Sequence, residues 1–297
     1  MSTATPTITN RDLASIAGLR IVPRKFYGRW VAAALILAVL GWIILAFANG
    51  QIDWAIVGQF FTAPAILQGL GNTLIMTACA MTLGIALGVV FAIMYMSPNP
   101  VLRGVALFYI WFFRGTPLLL QLLLWFNLAL VFPTIGIPGV FEWRTIDVIG
   151  PFMATLLGLG MNQGAYTAEV VRSGILSVDT GQTEAAKAIG MTRLTTLRRI
   201  VLPQAMRVII PPVGNEFISM VKLTSVASVI QYSEILRNAQ TVYYANARVI
   251  ELLIVSAGWY LLVVTLLQIG QFFLERYFSK GRGERRAKVK TTEEAQS

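Results

Sequence analysis

Six long apolar runs, with most of the lysine and arginine kept to the loops between them and to the two terminal segments, decide what this chain can fold into. The runs are residues 31–48, 65–96, 102–132, 150–172, 207–231 and 250–273. A bilayer core about 30 Å thick takes about 20 apolar residues of helix to cross. Backbone in lipid must satisfy its own hydrogen bonds, so each run is expected as a helix. The second and third runs exceed the minimum and should tilt or project past the hydrocarbon. The 297 residues are 56% hydrophobic and only 13% charged, with mean hydropathy +0.67, where soluble domains carry about 25% charge. The expected fold class is an all-α integral membrane protein with six transmembrane helices.

A net charge of +10 would point a soluble protein toward nucleic acid. Here the basic residues sit in short loops and terminal segments, the pattern that orients membrane proteins, so the partner is the lipid membrane and no nucleic acid. Arg11, Arg20, Arg24, Lys25 and Arg29 precede the first run, and Arg276, Lys280, Arg282, Arg285, Arg286, Lys288 and Lys290 follow the last. Together with the turn 97–103 and the loop 173–206, these segments hold most of the lysine and arginine. The alternate loops carry Arg144, Arg237 and Arg248 together with Asp53, Glu142 and Asp147. By this charge asymmetry both termini are expected to be cytoplasmic, in agreement with an even number of spans. The first run is long for a signal-peptide core and no small-residue cleavage pattern follows it, so it is expected to be retained. The organisation is then an arm over 1–30, a helix over 31–48, a core over 65–274 with a cytoplasmic loop at 177–206, and a disordered basic tail over 280–297. Pro133, Gly136, Pro138 and Gly139 break the segment between the third and fourth runs, which reads as an outer cap or a re-entrant segment.

Several chemistries are excluded. Histidine is absent, so no histidine base, proton relay or histidine metal site is available. Cys79 is the sole cysteine and sits in an apolar run. No G-x-x-x-x-G-K-[ST] phosphate loop occurs, so ATP chemistry belongs to another chain. No catalytic residue, metal ligand or cofactor bound by this chain is expected.

Polar groups inside the runs are costly and usually face a cavity. Glu216 lies nine residues into its run, roughly 13 Å deep at 1.5 Å per residue. A carboxylate there can pair with the ammonium group or cationic side chain of a substrate, or serve as a buried structural acid. Asn215, Ser219 and Lys222 recur at i, i+4 and i+7 on one helix face. Lys222 can bind a substrate carboxylate or snorkel to the interface. Arg114-Gly115-Thr116-Pro117 interrupts the third run and frees backbone groups that need partners, as a break lining a pathway would. Gly115 and Thr116 are candidates for substrate contact there, with Arg114 as an interfacial anchor. Gln163, beside Asn162, can bond substrate or a neighbouring helix. Glu169 and Arg172 are spaced as a structural pair. Gly84/Gly88 and Gly160/Gly164 read as packing faces.

The stretch from Gly181 to Pro203, GQTEAAKAIGMTRLTTLRRIVLP, is polar where its flanks are apolar. Thr183 can cap a helix over 184–189, Gly190 supplies a positive-φ stop, and Thr192 can cap a second helix over 193–201. Pro203 should end the unit at Leu202. Two short helices bent at a glycine make a knob, rimmed by Arg193, Arg198 and Arg199, that can steer a partner surface. An ordinary amphipathic connector is the competing reading.

Glu184, Ala185, Ala186, Gly190, Ile200, Leu202 and Pro203 stand at the spacing of the EAA loop, and this segment resembles that of ABC importer permeases. FFRGTPLLLQL (112–122), AYTAEVVRSGILSV (165–178) and VGNEFISMVKLTSVASVI (213–230) look like the polar amino-acid branch, which serves His, Arg, Glu, Gln and opines. The resemblance covers residues 67–274. It implies a type I ABC importer permease-like core of five helices, to which the first run adds an N-terminal extra helix. It further implies a bacterial inner-membrane subunit paired with a second permease, identical or related. A cytosolic ATPase dimer carrying ATP and Mg would dock on the loop that starts at Gly181, and an external binding protein would deliver the amino acid. The competing class is an ion-coupled secondary amino-acid transporter or channel, which would spread charged groups through several spans or show related halves. A membrane enzyme would need a clustered acid–base or nucleophile site that the runs lack.

Overall fold

The computed structural model describes residues 27–137 and 139–279. The expected disordered tail, Pro138 and all of the N-terminal arm before residue 27 lie outside the described residues. The chain divides into two units, 1–52 and 53–297. In the first, α1 (Tyr27–Ala48) starts earlier than the expected 31 and has no buried residue. Its 22 residues span about 33 Å, enough to cross a bilayer core.

The second unit runs α2 (Trp54–Phe61), α3 (Pro64–Tyr95), α4 (Pro100–Gly115), α5 (Leu118–Phe126), β1 (Thr134–Ile137), β2 (Phe141–Arg144), α6 (Thr145–Val148), α7 (Pro151–Leu176), α8 (Thr180–Ala188), α9 (Arg193–Thr196), α10 (Leu202–Leu223), α11 (Ile235–Asn246) and α12 (Val249–Ser279). It is helical apart from one antiparallel hairpin. Among the described residues of the whole chain, α1 included, four helices are long and apolar enough to cross a membrane, and a fifth span arises if the bent pair α4–α5 counts as one. Among the described residues, length and apolarity therefore pick out up to five spans where six are expected. The missing one is α7, which has 26 residues but carries Asn162, Gln163, Glu169 and Arg172. It can do so because α3, α4, α5 and α10 surround it, so most of its surface needs no match to lipid.

α7 packs most extensively on α3, and glycines set how closely. A Cβ on Gly84 would lie 2.6 Å from Gln163 Cγ, and one on Gly88 would lie 2.7 Å from Thr167 Cβ. From the other side, a Cβ on Gly160 would meet Leu83 at 2.6 Å. The two GxxxG faces oppose each other, and close backbone approach supplies the dispersion contacts that hold helices together in lipid. Gly88→Leu should therefore drive the pair apart at a cost of about 1–3 kcal/mol, seen as a lowered Tm of the purified protein in detergent. Gly104→Leu, where a Cβ meets nothing within 4 Å, should leave Tm near wild type.

One packed cluster centres on Met76, Leu122, Leu159, Met220 and Ile230. Another, nearer the α8 end, holds Tyr109, Phe113, Ala168 and Ile209. A third joins Ile66, Ala239, Leu252 and Val255. α11, absent from the expected element set, is strapped to the start of α3 by polar contacts. Asn72 Nδ2 donates to Ser233 O at 2.7 Å, Tyr232 Oη to Asn72 O at 3.0 Å, and Asn238 Nδ2 to Ala65 O at 2.7 Å. Glu234, wholly buried, caps α11 by accepting from the Leu236 and Arg237 N–H groups, and Tyr260 Oη donates to it at 2.5 Å. Burial lifts this carboxyl above the ordinary range, while those three donors pull it back. Hydrogen bonding makes a buried carboxyl tolerable here.

The polar stretch differs from expectation at both ends. α8 begins at Thr180, not at Glu184, because Asp179 takes the capping role and accepts from Gly181 N at 2.7 Å. Thr183 instead donates within the helix to Thr180 O. Thr192 caps α9 as expected, but Pro203 does not end the unit. A π-helical turn over Leu197–Val201 leads straight into α10, where Pro203 occupies the first turn. The wider turn shifts the hydrogen-bond ladder, so the missing proline N–H leaves no break. The span expected at 207 is thus the end of one helical rod running from Arg193 to Ile230.

Candidate functional site

The third apolar run breaks where its sequence places Gly and Pro. α4 ends at Gly115, Thr116 turns extended, and α5 leaves at 103°. The carbonyls freed by the break are claimed by side chains. Gln121 Nε2 donates to Phe113 O at 3.0 Å and Thr116 O at 3.1 Å, and Asn162 Nδ2 donates to Phe113 O at 2.8 Å. Burying an amide-lined bend of this kind is affordable only when such donors exist. α7 thereby fixes the bend as a rigid wall.

Beside that wall lies a cavity of about 800 Å³ lined by Thr116, Pro117, Leu118, Asn162, Gln163, Tyr166, Pro211, Pro212, Asn215, Glu216, Ser219 and Leu223. Glu216 is held on one side. Its Oε2 accepts from Gln163 Nε2 at 2.7 Å and from Thr167 Oγ1 at 3.0 Å. Those two residues are the ones that Gly84 and Gly88 of α3 touch, so the glycine packing face also backs the carboxylate. Among the described residues no donor reaches Glu216 Oε1. A half-buried carboxylate with one committed and one uncommitted oxygen can accept a bond from a cationic or ammonium group in the cavity.

Of the residues singled out by sequence, Thr116, Gln163, Asn215, Glu216 and Ser219 line this one cavity. Gly115 and Lys222 do not. Gly115 ends α4 short of the lining, and Lys222 is exposed outside it, although its neighbour Leu223 belongs to it. Asn215 spends its amide on Glu275 Oε1 at 3.0 Å, and Gln271 bonds the same carboxylate at 2.8 Å. Asn215 therefore ties α10 to α12 while bordering the cavity. Glu169 and Arg172 form the structural pair, at 2.6 Å.

Three lining residues, Pro211, Pro212 and Tyr166, and the neighbouring Thr167 escaped sequence reasoning. Pro211 and Pro212 sit inside α10 and remove two ladder donors next to Glu216, a signal readable from the paired prolines. Tyr166 lines the cavity, and the Arg114 guanidinium lies 5.1 Å from its ring centroid, a cation–π geometry. Arg114, at the end of α4, thus meets a residue of the cavity lining without belonging to it. Thr167 was readable only as one turn after Gln163.

At the far end of α7 stands the knob. Gly190 has φ +78°, and the helix closes with Met191 N donating to Ala186 O and Gly190 N to Lys187 O, the paired bonds of a glycine C-cap. Ala186 is buried within the knob, while Glu184, Ala185, Lys187 and Ala188 are exposed. Val201 is buried, Ile200 is half-buried, and Leu202 and Pro203 are exposed. Ile189 and Leu194 protrude on either side of Gly190 with 77% and 73% of their surface exposed. Arg193, Arg198 and Arg199 are exposed around them. Two apolar tips ringed by cations form a surface suited to a protein partner. Among the described residues no group of three or more His, Cys, Asp or Glu is placed to hold a metal ion.

Residues 84–280 match the family of binding-protein-dependent transport system inner membrane components. An arginine transport system permease protein, ArgU, of Corynebacterium glutamicum is 42% identical over 262 residues, covering 87% of this chain and 83% of the relative. An L-cystine transport system permease protein, TcyB, of Bacillus subtilis is 38% identical over 226 residues, 76% of this chain and 91% of the relative. The crystal structure of an amino acid ABC transporter with histidines superposes with a TM-score of 0.67 at 35% identity, over 77% of this chain and 100% of that one.

Proposed function

Because the chain belongs to the binding-protein-dependent transport system inner membrane component family, we propose that it carries polar amino acids, cationic ones foremost, through the cavity beside Glu216. It is an integral inner-membrane permease subunit of an amino-acid ABC importer and not an enzyme. ATP and Mg sit on a partner ATPase dimer that docks on the knob between Gly181 and Pro203. A second permease subunit, identical or related, completes the pathway, and an external binding protein delivers the substrate. The five apolar spans and α7 together make six, with the N-terminus and the knob on the cytoplasmic side.

The observation that carries this reading is the rod from Arg193 to Ile230. It bears the knob at one end and Glu216 about 35 Å along its length. Closure of the ATPases would push on the knob, and the rod would carry that displacement to the carboxylate without an intervening loop. Pro211 and Pro212 give the rod a place to flex next to the cavity. The 42% identical relative's place in an arginine transport system agrees with a carboxylate that has an oxygen to spare.

Purification of the tagged chain from its native membrane in mild detergent should bring down an ATPase and a second permease copy. The complex in liposomes should take up arginine only with internal ATP and external binding protein. Uptake by the chain alone, driven by an ion gradient without ATP, would overturn the reading in favour of a secondary carrier.

A further inference from the structure

The hairpin between the bent span and α7 has two chemically opposite faces. The register pairs Ile135 with Trp143 and Ile137 with Phe141, and it pairs Thr134 with Arg144 and Gly136 with Glu142. Directly opposed residues share a face and neighbours along a strand alternate. One face is therefore Ile135, Ile137, Phe141 and Trp143, and the other is Thr134, Gly136, Glu142 and Arg144. Arg144 also pairs with Asp147 at 3.8 Å on the polar side.

Ile135 alone on the apolar face is drawn into the core, packed against the cluster around Met76 and Leu122. Phe141, Ile137 and Trp143 are exposed, Trp143 to 60%, with the Phe141 and Trp143 rings 5.2 Å apart. Val140 at the turn is 73% exposed. A hairpin alone in water would not hold such a face uncovered. We infer that this face lies in the bilayer interface, as an amphipathic paddle resting on lipid at the end of the molecule opposite the knob.

Three observations select lipid as the occupant. First, the hairpin leaves the bundle after α5 and re-enters it at Pro151, the start of α7, while the knob follows the end of α7. It therefore sits where the spans meet the membrane surface. Second, the exposed apolar residues do not stop at the hairpin: Leu130, Val131 and Phe132 just before it, Ile146 just after it, and Leu120 and Leu124 of α5 are exposed as well. Third, an aliphatic turn with Trp and Phe behind it and charges on the reverse is the composition of an interfacial anchor. By holding the hairpin against lipid, the paddle would fix the wall formed by α5 and α7 relative to the bilayer while α10 moves.

The test uses the complete transporter, with its ATPases and second permease, in lipid nanodiscs. In a Cys79→Ser background, which removes the sole cysteine, spin labels are placed through Phe141→Cys and Glu142→Cys. Relaxation by dissolved oxygen, which concentrates in lipid, is compared with relaxation by a water-soluble nickel chelate. The oxygen-to-nickel ratio should be several-fold higher at 141 than at 142. Equal access of nickel to both labels would overturn the proposal by putting the hairpin in water. Shielding of 141 from both reagents would overturn it by putting a protein, such as the external binding protein, on that face. If either labelled variant fails to assemble, Trp143→Tyr serves. Lipids brominated near the headgroup should quench a larger fraction of wild-type fluorescence than of the variant's, and an equal fraction would count against the paddle.

Discussion

Replacing the two apolar tips of the knob, as Ile189→Asp with Leu194→Asp, should abolish recovery of the ATPase with the permease and reduce ATP-driven uptake to background. Both side chains are among the most exposed apolar groups of the second unit, at 77% and 73%, so neither contributes to the core and the fold should survive. They flank the left-handed Gly190, whose bend aims them outward from α8 and α9. Anchors of this kind in a docking pocket are worth about 2 kcal/mol or more each. Losing both therefore weakens binding by about three orders of magnitude at about 1.4 kcal/mol per tenfold. Burying two carboxylates without partners would add to the loss. Expression, membrane insertion and Tm of the permease alone should stay near wild type, and this separates failed docking from failed folding. Retention of the ATPase at wild-type yield would move the docking surface away from Gly190, with the arginine rim as the next place to look.

The knob also illustrates which features a sequence makes legible. Gly190 and the Thr192 cap could be read because their effects are local: one glycine at a helix end, one hydroxyl facing the N–H three residues on. The start of α8 was misread because Asp179 and Thr183 are both able caps, and only packing decides between them. Pro203 looked like a stop because a proline inside an α-helix costs a hydrogen bond. A π-helical turn one step earlier removes that penalty, and nothing local announces it. The same division holds in the membrane. The bounds of α3 and the break at Thr116 followed from apolar length and from Gly and Pro. The GxxxG faces were visible as patterns, but not that they meet each other and back Gln163 and Thr167. α11 and its strap to Asn72 and Ala65 join residues more than 150 positions apart, and the hairpin has short strands without a hairpin dipeptide such as Asn-Gly. For the candidate site, Glu216 stood out because an acid at that depth needs a reason. That Asn215 is engaged by Glu275, and that Lys222 stays outside a lining to which its neighbour Leu223 belongs, depend on where α12 packs and how the rod is turned.

Glu216→Gln should raise the KM for arginine by about ten- to a hundredfold while leaving the ATPase fully associated. A hydrogen bond to a charged group is worth about 1.5–3 kcal/mol, which converts to one to two orders of magnitude at about 1.4 kcal/mol per tenfold. The substitution keeps the side chain's size and one acceptor oxygen, so Gln163 and Thr167, now 2.7 and 3.0 Å from Oε2, retain a partner. What it removes is the charge. Loss should therefore scale with substrate charge: large for arginine, small for a neutral polar amino acid such as glutamine. Glu216→Leu removes the acceptor too and takes a partner from the Thr167 hydroxyl and from Gln163 Nε2, which keeps only Thr167 Oγ1, beside the α3–α7 contact. It should lower uptake of every substrate and lower Tm, as buried donors without partners do. The pair of variants separates the two roles open to this carboxylate. If Glu216→Gln transports arginine and glutamine at wild-type KM, the carboxylate does not contact substrate. If it loses both equally with Tm unchanged, Glu216 acts by positioning the rod and not by binding the cation.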